Sequence, residues 1–402
     1  MKILHTSDWH LGQDYYTYDR TEEHASFLHQ IQDIVKEEKP DVMVVSGDIY
    51  HTATPSNTTM KFFNEQLDNI RTAYPEMHIV ITAGNHDSSS RLESTKNLWK
   101  HLGVSVVGKI CKDNGHVLYD DLIIPIKRNK ELIGYIIALP HMYPNSYPLD
   151  DNETSEESRM DIFMKHLGEA VQEKLDKNDV PVVMMAHMTI TGTDIRGHEK
   201  TIGGMDEVPI QQLSAVPFDY LALGHIHRTQ FVAEKNKAHY CGTPIPVSFD
   251  EDFNHTVSIV EIGTQEKTPK VRYIDIENPW PIMTVPSEPL AFDEALQELE
   301  KVNNDMKAYV RLNVLLDGVA PVDALIKAEK IVQDKALRLC YIKWNRVNQE
   351  QQKAMRTLRM EEFQEKQPLD IAKLYYKNTY NSEMSDRLIE LFEEAEKKTS
   401  KK

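Results

Sequence analysis

The sequence has few cysteines, no excess of positive charge and no long apolar run. Its three cysteines, Cys111, Cys241 and Cys340, lie far apart and form no C-x-x-C pair, which argues against a disulfide framework and a thiolate zinc site. No apolar stretch approaches the roughly 18 residues that span a bilayer, and charged residues begin at Lys2. We therefore expect an intracellular protein of the reducing cytoplasm, without a secretory leader or membrane segment.

The charge balance is acidic. The chain has 63 Asp and Glu residues against 46 Lys and Arg residues, which gives a net charge of -17 at pH 7. A chain of this charge does not hold nucleic acid by nonspecific attraction to phosphates alone. If its substrate is a polyanion, bound divalent cations or a partner subunit must supply positive charge.

The chain of 402 residues exceeds what one hydrophobic core normally supports, so we expect two or three domains. Up to about residue 260, apolar strand-type runs alternate with segments of helical spacing, which is typical of a layered α/β domain. Helices are predicted over residues 22–38 and 58–73. The predicted strands cover residues 2–6, 41–46, 78–83, 133–139, 180–186 and 220–223, and further short strands are expected between residues 242 and 276.

A cluster of prolines beginning at Asn278-Pro-Trp-Pro predicts a domain boundary. The first domain then covers residues 1–277, and a small α/β domain covers residues 278–347. Its predicted helices are residues 290–302 and 322–333, and its predicted strands are residues 308–316 and 337–344. Residues 348–402 are predicted to form a polar linker and two amphipathic helices, 369–380 and 383–396, whose apolar residues are too few for an independent core.

Five apolar runs end in side chains that bind metals. Ligands bind at the carboxyl ends of strands in open α/β sheets, so these side chains are expected to converge. Two carboxylates, one amide and four imidazoles suit manganese, iron or zinc, and they are too many for one ion. A carboxylate such as Asp48 can bridge two ions roughly 3.5 to 4 Å apart. The candidate ligands are Asp8, His10, Asp48, Asn85, His187, His225 and His227.

The remaining polar residues near these motifs have simpler interpretations. Asp87 is predicted to orient a neighbour by a hydrogen bond rather than to bind metal. His198, His239 and His255 match no ligand position and are interpreted as surface or strand residues. The run Lys127-Arg-Asn-Lys is interpreted as a hairpin tip, with phosphate contact as the alternative.

The ordered pattern D-x-H, G-D, G-N-H-[DE], H and G-H-x-H resembles the calcineurin-like metallophosphoesterases. Within that superfamily, HTSDWHLG, SGDIYH, AGNHDS, ALGHIH and YCGTPIPVSFDE resemble the double-strand-break repair nucleases. The resemblance implies an α/β fold: a layered β-sandwich flanked by helices, with a small α/β capping domain that binds DNA and with C-terminal helices. It also implies two Mn²⁺ ions, with other divalent cations as alternatives.

The resemblance assigns roles to individual residues. One ion would be held by Asp8, His10, Asp48 and His227, and the other by Asp48, Asn85, His187 and His225. His86 would contact the scissile phosphate and assist departure of the leaving group. His51 would lie near the DNA path.

The activity that the resemblance implies is cleavage of DNA in repair, recombination and replication. The chain would act as a 3'-5' exonuclease on double-stranded ends and as an endonuclease on single strands or hairpins. An ATPase partner, gripped by the C-terminal helices, would control access, and two nuclease subunits would form a homodimer within a heterotetramer. Phe62, Phe63 and Leu67 could form the dimer surface or, equally well, part of the core.

Two other functions remain open at this point. A metallophosphoesterase acting on nucleotides or phosphoproteins would use the same metals, although it would need neither a second domain nor terminal helices. A noncatalytic scaffold would retain the fold, although scaffolds derived from enzymes usually lose ligands and none is missing here.

Overall fold

The computed structural model describes residues 1–151, 157–196, 207–232 and 237–346, together with individual residues between 369 and 392. The chain forms two compact units. The first comprises Met1–Thr284, Asn303–Arg311 and Val332–Tyr341, and the second comprises Val285–Val302, Leu312–Ile331 and the described residues from 342 onward. Most of the linker and C-terminal helices expected over residues 348–402 lie outside the described residues, so they stay predictions.

Strands of three or more described residues build three sheets. They are β1 (Lys2–Thr6), β2 (Val42–Ser46), β3 (His78–Thr82), β4 (Val104–Val107), β5 (Ile123–Arg128), β6 (Glu131–Ala138), β7 (Val182–His187), β8 (Tyr220–Gly224), β9 (Gln230–Val232), β10 (Ala238–Tyr240), β11 (Thr256–Glu261), β12 (Lys270–Asp275), β13 (Ile282–Leu290), β14 (Ala308–Leu316) and β15 (Leu337–Arg346). Shorter strands pair as Asp14–Tyr15 with Tyr18–Asp19, Lys112–Asp113 with His116–Val117, and Thr189–Ile190 with Glu207–Val208.

The helices of the described residues are α1 (Thr21–Glu38), α2 (Asn57–Ala73), α3 (Ser89–Leu92), α4 (Lys96–Lys100), α5 (Arg159–Leu175), α6 (Phe292–Lys301) and α7 (Ala324–Val332). Helix α2 begins where the Ser56 hydroxyl accepts a hydrogen bond from the Thr59 amide at 3.0 Å, which satisfies one of the free amides of the first turn. None of these helices combines the length and the hydrophobicity that a membrane-spanning segment needs.

The first sheet has the order β12–β11–β1–β2–β3–β4, and strands β1 to β4 run parallel. The second sheet has the order β9–β10–β8–β7–β6–β5, in which β6, β7, β8 and β10 run parallel. Hairpin β5–β6 turns at Asn129 and Lys130, and Arg128 at its end donates to the carboxylate of Asp41. The interpretation of this basic run as a hairpin tip is therefore confirmed.

The two sheets pack face to face as a sandwich. Ile3, Val44 and Val80 of the first sheet share one buried core with Ile136 and Met184 of the second. Because the parallel strands are buried on both faces, their sequences are continuous apolar runs rather than alternating ones. The predicted α/β sandwich flanked by helices is confirmed, and each predicted strand lies within two residues of an observed one at either end.

Helices α1 and α2 cover the outer face of the first sheet. Leu4 and Val45 point to this side and share a core with Phe27 of α1 and with Phe63 and Leu67 of α2. Phe63 and Leu67 are buried, so the core interpretation is right for these two side chains. Phe62 is half-buried at the edge of the same core.

Strands β13, β14 and β15 form the third sheet. The predicted strand over residues 308–316 is confirmed at both ends, and α6 and α7 lie inside the predicted helices. In the second unit, the rings of Phe292 and Trp344 lie 5.9 Å apart, and the Asn345 amide donates to Asn313 at 2.7 Å.

Candidate metal centre

The candidate ligands lie at the carboxyl ends of neighbouring strands of both sheets. In the first sheet, Asp8 and His10 follow β1, Asp48 follows β2 and Asn85 follows β3. In the second sheet, His187 ends β7, and His225 and His227 follow β8. Parallel strands deliver their ends to one edge, and packing of the sheets brings the two edges together.

Four of these residues have left-handed backbone conformations. The φ angles are 54° at Asp8, 45° at His10, 52° at Asp48 and 94° at His225. Such angles cost a non-glycine residue of order 1–3 kcal/mol and persist only where the surroundings impose them. Here the Asp8 amide donates to the Gly47 carbonyl at 3.0 Å, and the His10 amide donates to the Asp48 carbonyl at 3.1 Å.

Ligand atoms of Asp8, His10 and His227 lie within 4.8 Å of one another and form a first group. All three side chains are buried, and the two Nε2 atoms of the histidines face each other at 3.3 Å. The Ser7 hydroxyl donates to the Asp8 carboxylate, and the His225 amide donates to both carboxylate oxygens at 3.1 and 3.2 Å.

Asp48, His187 and His225 form a second group within the same limit. Asn85 joins them, because its Oδ1 lies 3.0 Å from His187 Nε2 and 3.0 Å from His225 Nδ1. Asp48 Oδ2 lies 3.4 Å from His187 Nε2 and 3.8 Å from His10 Nε2, so it stands between the two groups.

Hydrogen bonds from outside the groups fix the imidazoles. His187 Nδ1 donates to the Ser46 carbonyl at 2.8 Å, and His227 Nδ1 donates to Glu251 Oε1 at 2.9 Å. Each bond fixes the tautomer and leaves Nε2 of the ring facing the centre, as partners of metal-binding histidines generally do. Glu251 is itself buried and accepts from the Val247 amide at 3.1 Å.

Two glycines leave the space that Asp48 and His187 occupy. A Cβ atom at Gly84 would lie 2.1 Å from Asp48 Oδ1 and 2.3 Å from the Asp48 amide nitrogen. A Cβ atom at Gly47, where φ is +88°, would lie 2.2 Å from His187 Nδ1. These approaches are too close for any side chain, so both positions require glycine.

Asp87 belongs to neither ligand group. Its carboxylate accepts from the amides of Ile49 at 3.1 Å, Tyr50 at 2.9 Å and Gly84 at 2.9 Å. Burial and the Asp48 charge raise the pKa of Asp87 to about 6. It joins the loop after β2 to the loop after β3, which agrees with the predicted orienting role.

His86 and His51 lie side by side next to the first group. Their rings stack at 5.6 Å and 26°, and His86 Nδ1 donates to the His51 carbonyl at 2.7 Å. The His86 amide also donates to Asp48 Oδ1 at 2.9 Å. His51, His86 and His225 are half-buried and Asn85 is exposed, so this side of the centre is the one that solvent reaches.

Without metal, burial and neighbouring charges set the protonation states of the carboxylates and imidazoles in the centre. Burial acts to raise the pKa of Asp48, yet the imidazoles of His187 and His10 hold it well below its usual range. Burial acts to lower the pKa of His187, yet the Asp48 carboxylate raises it to about 9. Burial raises the pKa of Asp8 and lowers that of His10. Asp48 and His187 are thus a buried ion pair at neutral pH.

This donor set fits two divalent cations. Ligand atoms of the imidazoles, the carboxylates and the amide lie 3.0 to 3.8 Å from one another. Hydrogen-bond acceptors packed this closely need protons or cations between them. Asp48 stands where both groups can share it. Asp48 belongs to the second group alone, whereas the resemblance implies that it serves both ions, so the two ligand sets stay a prediction.

Some residues of the site were not predicted. Glu251, two residues after Phe249 in VSFDE, supports His227, and His141 follows the end of β6 with its Nδ1 2.9 Å from the His187 carbonyl. A histidine just after a strand of the same parallel sheet was the available signal for His141.

Two of the histidines that match no ligand position can be placed or set aside. His239 is a buried strand residue that bonds to the Tyr220 hydroxyl at 3.0 Å, and His198 lies outside the described residues.

Residues 1–229 match the family model of the calcineurin-like phosphoesterases, and residues 280–380 match the model described as type 5 capsule protein repressor C-terminal domain. The SbcD subunit of the nuclease SbcCD from Rhodobacter capsulatus is 30% identical over 312 residues, which cover 75% of this chain and 76% of that protein. The chain belongs to the SbcD family of calcineurin-like phosphoesterases.

Two further SbcD proteins have similar coverage. That of Escherichia coli K12 is 26% identical over 79% of this chain and 78% of its own length. That of Bacillus subtilis is 28% identical over 66% of this chain and 68% of its own length. As a member of this family, the chain is a metal-dependent phosphodiester hydrolase, and its ligand groups are the candidate sites for divalent metal.

Proposed function

We propose that this chain is the nuclease subunit of an SbcCD-type complex and hydrolyses DNA phosphodiesters with two Mn²⁺ ions, for which other divalent cations can substitute. The observation that carries the proposal is the position of His86, beside two ligand groups with Asp48 between them, in a member of the SbcD family. A phosphoesterase acting on nucleotides or phosphoproteins is the alternative.

The seven ligands divide between the two ions. Asp8, His10, Asp48 and His227 hold one ion, and Asp48, Asn85, His187 and His225 hold the other. When bound, the two cations lower the pKa of water and neutralise the charge that develops on phosphate oxygens. They also supply the positive charge that an acidic chain needs to hold a polyanion.

His86 is the proposed proton donor. Its Nδ1 donates to the His51 carbonyl, which leaves Nε2 to face the phosphate from the open side. In the imidazolium form both ring nitrogens carry a proton; the proton on Nε2 passes to the oxygen that leaves when the phosphodiester breaks, and the ring becomes neutral. The stacked His51 ring holds His86 in this orientation and lies along the DNA path.

The wider role follows the family. The enzyme acts as a 3'-5' exonuclease on double-stranded ends and as an endonuclease on single strands and hairpins, in DNA repair, recombination and replication in the cytoplasm. An SbcC-type ATPase gates access by binding the helices proposed over residues 369–380 and 383–396. Residues 278–347 form the proposed DNA-binding cap, and two nuclease subunits form a dimer within a heterotetramer.

The test uses the purified full chain with and without the SbcC-type ATPase, on end-labelled duplex and hairpin DNA, under Mn²⁺ and under Mg²⁺. The expected result is Mn²⁺-dependent shortening of the duplex from its 3' ends and opening of the hairpin. Bis-p-nitrophenyl phosphate serves as the control for a working metal centre. Hydrolysis of that ester without cleavage of either DNA, even with the ATPase, would favour the alternative.

A further inference from the structure

A strained hairpin tip follows directly on the first metal-binding motif. Residues Asp14–Tyr15 pair with Tyr18–Asp19, and the two residues of the turn, Tyr16 and Thr17, have φ angles of 49° and 79°. Two-residue turns of this kind normally carry Asn or Gly, and a β-branched residue at positive φ is a true outlier. Strain of this kind is found at sites that use the strained residue.

The strain presents an aromatic ring on the surface. Tyr16 is 43% exposed, although three rings hold it. It stacks on Tyr341 at 5.0 Å and 26°, and it contacts Tyr15 at 5.1 Å and Phe249 at 5.7 Å at steep angles. A ring held in this way loses little conformational freedom when a flat ligand stacks on it.

The charges beside these rings are paired. Arg311 lies 5.2 Å from the Phe249 ring and forms an ion pair with Asp250 at 2.8 Å. Arg20 lies 5.0 Å from the Tyr15 ring and pairs with Glu23 at 2.8 Å. Because these guanidinium groups are neutralised, the surface suits the flat face of a base better than a phosphate group.

Two stretches of chain, one carrying Tyr16 and the other carrying Phe249, connect these rings to one of the two ligand groups. The Gln13 amide, three residues before Tyr16, donates to the His10 carbonyl at 3.1 Å. On the other side, Phe249 lies two residues before Glu251, which holds His227. Both connections lead to the group of Asp8, His10 and His227, so the rings adjoin that group along the chain on two sides.

We propose that Tyr16, supported by Tyr341, is a stacking site for one unpaired nucleobase of the DNA strand held at the metal centre. The inference rests on the proposed nuclease function and names how the same site holds single strands. Stacking on an aromatic ring tolerates every base, since each has a π face. It also lets an acidic protein bind a strand without a cationic groove.

The test measures how tightly single-stranded oligonucleotides bind when one base is missing. A single abasic nucleotide is moved along the strand one position at a time, and the affinity is measured by fluorescence anisotropy with Mn²⁺. The full chain carries His86→Gln throughout to prevent cleavage. Variants Tyr16→Ala and Tyr16→Phe are compared, with Tyr273→Ala as a matched control. Tyr273, in β12, is exposed to a similar extent, 45%, but its ring stacks on His239 of β10, away from the Tyr16 rings.

In the protein that keeps Tyr16, the abasic nucleotide should weaken binding of the oligonucleotide by roughly five- to a hundredfold when it stands at one particular position of the strand. Tyr16→Ala should bind the intact strand more weakly by a similar factor and should lose this dependence on position. Tyr16→Phe and Tyr273→Ala should keep it. The inference is overturned if Tyr16→Ala retains the position dependence or if Tyr16→Phe loses it. Absence of any strand binding by the His86→Gln protein, when it retains its metals and the parent chain with His86 hydrolyses bis-p-nitrophenyl phosphate, would instead overturn the nuclease proposal.

Discussion

The replacement Gly84→Ala tests whether the space around Asp48 sets the metal centre. The added Cβ would lie 2.3 Å from the Asp48 amide nitrogen, whereas ordinary contacts of such atoms begin near 3.4 Å. Asp48 must therefore move by roughly 1 Å, and a displacement of that size at a reacting centre costs about a hundredfold in rate. Because Asp48 is the proposed ligand of both ions, binding of both ions should weaken.

The assay combines metal analysis after dialysis against Mn²⁺ with the rate of DNA cleavage. Overpacking should also lower the free energy of unfolding by about 1–3 kcal/mol, which chemical denaturation measures. Gly318→Ala is the control for metal content and cleavage rate, because a Cβ atom there meets nothing within 4 Å; its φ of +86° strains alanine, so its unfolding free energy is not the reference. Full metal content and an unchanged cleavage rate in Gly84→Ala would refute the placement of Asp48 between two ions.

Four further predictions concern the same centre. His86→Gln should retain both metals yet lose most turnover, and rapid cleavage by the metal-loaded variant would remove His86 from the mechanism. Since the pKa of His187 is raised to about 9 by Asp48, loading Mn²⁺ near pH 7.5 should release about one proton from that pair, seen by calorimetry in buffers of different ionisation enthalpy. In the protein without metal and with Asp48 ionised, the raised pKa of His187 adds stability that is complete below about pH 6.5 and disappears as the pH rises through 9. A flat unfolding profile between these two pH values would contradict it. Glu251→Gln should weaken Mn²⁺ binding by about 10- to 100-fold through His227, and an unchanged affinity would show that their hydrogen bond does not tune the ligand.

The sequence predicted the convergence of the candidate ligands because parallel strands bring their carboxyl ends to one edge. Asp8, Asp48 and Asn85 each follow a strand of one parallel set, so their convergence needed only the order of strands. The contact between His10 and His227 depends on how two separate sheets pack face to face, and local patterns carry no information on that packing.

Supporting residues were harder to predict than ligands. Glu251 lies in a loop with no periodic pattern, and only the three-dimensional path of the chain brings it to His227. The stack of Tyr16 on Tyr341 joins distant parts of the chain in the same way. Left-handed backbone at Asp8 and Asp48 was also not predicted, because aspartate adopts it only where hydrogen bonds such as that from the Asp8 amide to Gly47 impose it.

The division of the ligands between the two sheets has a consequence for the newly made protein. The first sheet supplies four ligands from the opening of the chain, but the second supplies the remaining three only from His187 to His227. A ribosome-bound fragment that ends before His187 therefore lacks His227 for one proposed ion and both His187 and His225 for the other. If the proposed ligand sets are right, we expect no complete metal centre, and so no cutting activity, before the chain has been synthesised as far as His227 and both sheets have joined.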